Sequence, residues 1–122
     1  MPVFSRIRDG VLSLTVDGDY TANELRRVAF RAFEGEGIPA RVPVLLDLSG
    51  AAGLKSKSRE DLSATGAIFG AYRDRLTGLA VVAPPDAASL FGGEGAFAKE
   101  VGVRVESCAS HADARTWLRN GS

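Results

Sequence analysis

The sequence predicts a single α/β domain, residues 1–122, in which a mostly parallel sheet alternates with amphipathic helices. Continuous apolar runs at 42–48 and 78–82 are typical of strands buried on both faces. Stretches with apolar residues at helical spacing separate these runs. Both the length and the ordinary hydrophobic content suit one hydrophobic core.

The first two strands form a predicted hairpin. Strand-like runs at 3–7 and 11–16 flank Asp9-Gly10, a strong hairpin signal because glycine tolerates positive φ. This hairpin supplies one antiparallel edge strand to a sheet that is otherwise parallel.

A helix and the central strand follow. The Thr21–Glu24 segment has the form of a capping box, and apolar residues at spacings of three and four continue to about Gly35 or Gly37. The strand at 42–48 comes next, and we expect a glycine-rich turn directly after it.

A second helix is predicted from the weaker capping box Ser58–Asp61, with helical apolar spacing as far as Leu76. Gly66 and Gly70 would allow another backbone to approach this helix closely, at some cost in helix stability.

The last third of the chain holds the 78–82 strand, an interrupted helical segment at 86–101, a strand at 103–108 nearer an edge, and a short helix after Ser110. The predicted order is ββαβαβαβα with five strands; local patterns leave the order of the strands within the sheet open.

Composition excludes several classes of function. The formal net charge is zero, and basic residues do not interleave with aromatic ones, so we expect no nucleic-acid partner. No apolar run approaches the ~20 residues of a membrane helix or the length of a signal peptide, so we expect no stable membrane insertion. Cys108 is the one cysteine, which excludes an internal disulfide and favours the cytoplasm.

The element order, the strand ending in Asp47 with its loop into a helix, and the closing segment 110–118 resemble the STAS domain of sulphate transporters and anti-sigma-factor antagonists. The closing segment is particularly similar to the SpoIIAA-like branch of the STAS/Sec14-like fold. The resemblance covers nearly the whole chain and implies a regulatory domain that binds other proteins.

In the antagonist branch the loop carries Asp-Ser-Ser-Gly, one serine of which is phosphorylated by a partner kinase. Those positions fall here on Lys55, Ser56, Lys57 and Ser58, of which only Ser56 matches. Some Sec14-like relatives enclose apolar ligands beneath a movable helix, which is the second implication of the resemblance.

The loop after the central strand is the first candidate site. At a helix start, free amides and the positive end of the dipole favour an anion or a partner. The alternative is a solvated loop capped by Ser58. The candidates are Lys55, Ser56, Lys57, Ser58 and Arg59, together with Asp47 and Ser49, which could instead hold a backbone turn.

The glycine-interrupted segment is the second candidate. It lacks the Lys-Ser/Thr ending of a P-loop, so we interpret it as a hinge that could open onto an apolar ligand or a second subunit, with irregular packing as the alternative. The hinge and pocket candidates are Leu90, Phe91, Gly92, Gly93, Gly95 and Phe97.

We expect no cofactor, metal or catalytic group. Cys108 and His111 are three residues apart, but no further histidine or cysteine completes a metal site, and a Cys–His nucleophile pair is not expected from a strand end and a helix start. The sequence thus predicts a non-enzymatic, homodimeric interaction or regulatory module, whose partner is itself or another regulatory protein. The alternative is a carrier of a small apolar or anionic ligand, with a pocket under the 86–101 segment.

Overall fold

The structure, a computed structural model, describes residues 3–93 and 95–120. Its strands are β1 (Val3–Arg8), β2 (Val11–Gly18), β3 (Val42–Ala51), β4 (Leu76–Val82) and β5 (Val105–Cys108). Its helices are α1 (Ala22–Phe33), α2 (Arg59–Gly70), α3 (Ala96–Val101) and α4 (His111–Asn120). The predicted ββαβαβαβα order is confirmed.

The five strands lie side by side in chain order, β1-β2-β3-β4-β5. β1 pairs with β2 in antiparallel fashion and every later pair is parallel, as predicted. When parallel strands follow one another in a single direction, right-handed crossovers place all of their helices on the same face. Accordingly, α1, α2 and α3 share one face of the sheet, and α4 lies on the other.

Alternate residues of β3 feed two separate cores. Val44, Leu46 and Leu48 join the large core beneath α1, α2 and α3. Leu45 joins the smaller core beneath α4, where Ala114 and Leu118 cover the sheet. The prediction that β3 is buried on both faces is therefore confirmed, and β3 is also the middle strand of the sheet.

Close packing of α2 on α3 depends on two glycines. A Cβ added at Gly66 would clash with the carbonyl oxygen of Phe97, and one added at Gly70 would clash with that of Glu100. The predicted backbone approach is confirmed, and its partner is α3.

Three predicted boundaries are wrong. β3 continues through Gly50 instead of turning, because Gly50 pairs with Asp17 beyond a register shift in β2. The α2 helix ends at Gly70, and Leu76 begins β4 after a short 3-10 turn at Arg73–Arg75. β5 begins two residues later than predicted.

The late start of β5 has a local cause at Arg104. Its carbonyl accepts the Leu79 amide at 3.0 Å, so sheet contact begins here. Its guanidinium turns away to lie 4.0 Å from the Trp117 ring centroid, where it donates to the Thr77 and Leu118 carbonyls.

Within the described residues, no helix is long and apolar enough to cross a membrane.

Gly66→Ala should destabilise the protein by about 1–3 kcal/mol, because the new methyl group overpacks the α2–α3 contact. Guanidinium denaturation measures the effect. Ala67→Gly, at an exposed neighbouring position, is the control and should cost only the ~1 kcal/mol of helix propensity. A stabilised Gly66→Ala protein would contradict the contact, since propensity alone favours alanine.

Candidate functional site

Asp47 lies near the carboxyl end of the middle strand, on the face that α4 covers. Its neighbours in the sheet are Thr15 of β2 and Val82 of β4. Only 8% of the Asp47 surface is exposed. Ligands of parallel α/β sheets bind outside the carboxyl ends of the strands, so this acid marks the first candidate site.

Ser49 holds one oxygen of this carboxylate. The Ser49 amide donates to Asp47 Oδ1 at 2.9 Å, and the Ser49 hydroxyl donates to the same oxygen at 2.6 Å. The predicted turn-like bonding of Asp47 with Ser49 is thus present, although the backbone remains in the strand.

His111 occupies the other oxygen. Its Nε2 lies 2.6 Å from Asp47 Oδ2, and about half of the imidazole side chain is exposed. Sequence reasoning missed this pair, since it tested His111 only against Cys108 and a metal. A usable signal existed: His111 follows the last strand by three residues, and parallel strands end at one edge of a sheet.

The carboxylate of Asp47 is ionised at neutral pH. Burial raises its pKa, but the hydrogen bonds from Ser49 and His111 outweigh burial and hold the pKa below the usual aspartate value. An ionised carboxylate only accepts hydrogen bonds, so His111 must carry a proton on Nε2. That leaves Nδ1 as the imidazole atom available to another group.

An aspartate that orients a histidine is also two-thirds of a catalytic triad. Within the described residues, however, no hydroxyl or thiol is bonded to His111, because the Ser49 hydroxyl is committed to Asp47. Burial, with Glu106 and Asp113 nearby, raises the pKa of the Cys108 thiol, so this cysteine stays protonated.

The predicted cation cluster does not converge on one point. Lys55 Nζ lies 3.2 Å from the Asp86 carboxylate. Lys57 Nζ lies 3.4 Å from the Tyr20 carbonyl and 4.5 Å from the centroid of the Tyr20 ring. Arg59 is exposed at the start of α2.

The serines of this loop have different surroundings. Ser58 caps α2, accepting from the Asp61 amide at 3.1 Å, while Asp61 accepts from the Ser58 amide at 3.2 Å. Ser56 ends a 3-10 turn and is exposed. The predicted helix cap is confirmed, whereas an anion or modification site in this loop stays a prediction.

The 86–101 segment forms two short helical pieces, as predicted: a 3-10 turn at Ala88–Leu90 and the helix α3. Gly92, Gly93 and Gly95 lie between them, and Gly93 has φ of +64°. Phe91 and Phe97 are fully buried, with edge-to-face rings whose centroids are 5.2 Å apart. Opening a pocket beneath the segment would require these rings to separate.

An apolar groove between α1 and α2 was not predicted. Its volume is about 390 Å³, and Phe30 at its edge is 56% exposed. We call it the α1–α2 groove; it is lined by Asn23, Arg26, Arg27, Phe30, Ala67, Ile68, Ala71 and Tyr72. A large aromatic residue at an exposed helix position was the available sequence signal.

No cluster of three or more histidine, cysteine or acidic side chains suited to a metal ion occurs in residues 3–93 and 95–120. The only histidine of the chain is bonded to Asp47.

These elements are arranged in a SpoIIAA-like fold, which confirms the fold that the sequence resemblance implied. The chain is similar to an uncharacterized DUF3478-family protein with a SpoIIAA-like fold from Shewanella loihica, with a TM-score of 0.60 and 13% identity. The alignment covers 95% of this chain and 91% of the other. No protein-family model matches the sequence, and no curated protein matches it significantly.

Asp47→Asn should lower the free energy of unfolding at pH 7 by about 1–3 kcal/mol, because it removes the charge that accepts three short hydrogen bonds. Since folding lowers the Asp47 pKa, its contribution is present above the unfolded pKa and lost as pH falls through the folded pKa. Denaturation measured from pH 7 to pH 3 should therefore show that the variant loses less of its unfolding free energy than wild type does as the pH falls.

Asp86→Asn is the matched control, since its carboxylate forms an exposed ion pair with Lys55 and should contribute less than ~1 kcal/mol. Equal acid sensitivity of wild type and Asp47→Asn would show that Asp47 is not the ionised acceptor.

Proposed function

We propose that this protein is a non-enzymatic interaction module that forms a homodimer through the α1–α2 groove. The observation that carries the proposal is the exposed Phe30 beside an apolar groove. Interface cores are enriched in aromatic residues and arginine, and Arg26 and Arg27 border this groove.

A second copy of the chain is the occupant that fits best. In a two-fold dimer the same patch serves both subunits, so a protruding group and a recess must lie together on one surface. Phe30 provides the protruding group, and the small side chains of Ala67 and Ala71 leave the recess. Each Phe30 ring would then enter the groove of the partner subunit.

The chemistry at the sheet edge supports a binding function over catalysis. Asp47 and His111 form a pair, but the neighbouring hydroxyl and thiol are not poised as nucleophiles. We place the module in the cytoplasm, where the free Cys108 thiol would remain reduced.

Phe30→Ala should weaken dimerisation at least a hundredfold, since both subunits lose a central aromatic contact. Analytical ultracentrifugation across a concentration series measures the dissociation constant. Phe4→Ala is the control: Phe4 is 54% exposed but lies on β1, away from the groove. A wild-type protein that stays monomeric at high concentration would contradict the proposed homodimer. Another regulatory protein would then be the remaining candidate partner.

A second candidate function is the carrier of an apolar molecule with an acidic head group. A cleft of about 480 Å³ lies at the edge of the 86–101 segment, between it and the start of α2. Lys57 and Arg59 line this cleft together with the apolar side chains of Leu62 and Leu90. Cationic and apolar walls in one cleft suit a fatty-acid-like ligand.

A carrier should show a rise in melting temperature with dodecanoate, because a ligand bound only to the folded state stabilises it. The shift should be lost in a Lys57→Ala, Arg59→Ala double variant. Dodecanol, which lacks the acidic group, should give a smaller shift. An equal response of the double variant and wild type would contradict binding at this cleft.

A further inference from the structure

The face of the sheet that carries α4 contains a cleft which neither proposed function uses. Its volume is about 400 Å³, at the lower end of the roughly 300–1,000 Å³ typical of small-molecule sites. We call it the β1–α4 cleft; it is lined by Phe4, Ser5, Arg6, Arg8, Ser13, Thr15, His111 and Arg115.

Strand register explains how these residues meet. Ser13 of β2 pairs with Arg6 of β1, and Thr15 pairs with Phe4, so all four side chains lie on the α4 face. Ser13 and Thr15 thus form the floor between β1 and α4. His111 is held at the α4 side by its bond to Asp47.

The lining of the cleft is cationic, and the ionised Asp47 lies behind it, bonded to His111. No aspartate or glutamate is among its described lining residues. Arg6 and Arg115 have no ion pair or hydrogen bond within the described part of the chain, and Arg8 reaches only the exposed Asp9 at 4.0 Å. Because the whole chain has zero net charge, this concentration of positive charge is local.

A hydroxyl group on the floor also faces the cleft without a protein partner. Ser13 is 8% exposed, yet its hydroxyl forms no hydrogen bond with any described residue. Among the described residues, the unbonded side-chain oxygens that are fully enclosed are those of Thr77 and Ser107; the Ser13 oxygen is open to the cleft, where it can bond a ligand.

We infer that the β1–α4 cleft binds the phosphate group of a small phosphorylated molecule. Arginine forks match the oxygens of a phosphate, and the Ser13 hydroxyl can donate to one of those oxygens from the floor of the cleft. The Phe4 ring at the rim offers a flat apolar surface to the organic part of the ligand.

NMR titration of the full chain with phenyl phosphate tests this inference. Saturable shifts should centre on Ser13, Thr15, His111 and Arg115, with a Kd on the order of 1 mM or tighter. An Arg6→Ala, Arg115→Ala double variant should bind at least about tenfold more weakly. The control double variant, Arg31→Ala with Lys99→Ala, loses the same charge from exposed positions of α1 and α3 and should bind within about twofold of wild type.

Inorganic phosphate identifies the source of the phosphate group. It should bind more weakly than phenyl phosphate, and Phe4→Ala should remove the difference. Equal binding of both probes by wild type contradicts an ester ligand and points to free phosphate.

Absence of saturable shifts overturns the site, as does an equal loss of binding in both double variants. Shifts centred on residues 55–59 would place the anion in the loop before α2 and would also overturn the proposed site. Ser13→Ala keeps every charge and should still weaken binding several-fold, which separates this hydrogen bond from a general charge effect.

Discussion

The rest of the structure depends on the sequential order of its parallel strands. Since each crossover joins neighbouring strands in the same direction, α1, α2 and α3 are confined to one face. The opposite face is left to the ten-residue helix α4, which packs mainly on β3, β4 and β5, while the hairpin contributes Val11 to the core beneath it. One face is therefore crowded with helices, and the other is partly open.

The two faces consequently offer different chemistry. Helices packed side by side on the crowded face leave the apolar α1–α2 groove between them. On the sparsely covered face, β1 and β2 present arginine and hydroxyl side chains beside α4, which forms the β1–α4 cleft. We therefore propose a protein-binding surface on one face of the sheet and a site for a small anion on the other.

The Asp47–His111 contact links the sheet to α4. It joins the middle strand to the first residue of α4, 64 positions later in the chain. The carboxylate is bonded on both oxygens, so it orients the imidazole while remaining ionised. The same contact fixes one end of α4 and places His111 at the wall of the cleft.

Local sequence patterns determined the elements of this protein. The helix caps at Thr21 and Ser58, the hairpin at Asp9-Gly10 and the two-piece 86–101 segment all arise from contacts within a few residues. The close-approach role of Gly66 and Gly70 was also predictable, because only glycine leaves room for another backbone. Bonding between Asp47 and Ser49 was equally local.

Tertiary structure alone decided the order of the strands, the end of α2 before Leu76 and the partners of the site residues. Lys55 and Lys57 are only two residues apart in the sequence, yet Lys55 pairs with Asp86 and Lys57 contacts Tyr20. His111 gains its role only when the ends of β3 and β5 meet at one edge. Periodicity reports which residues face a core, but pairings between distant segments arise from the packing of the whole chain.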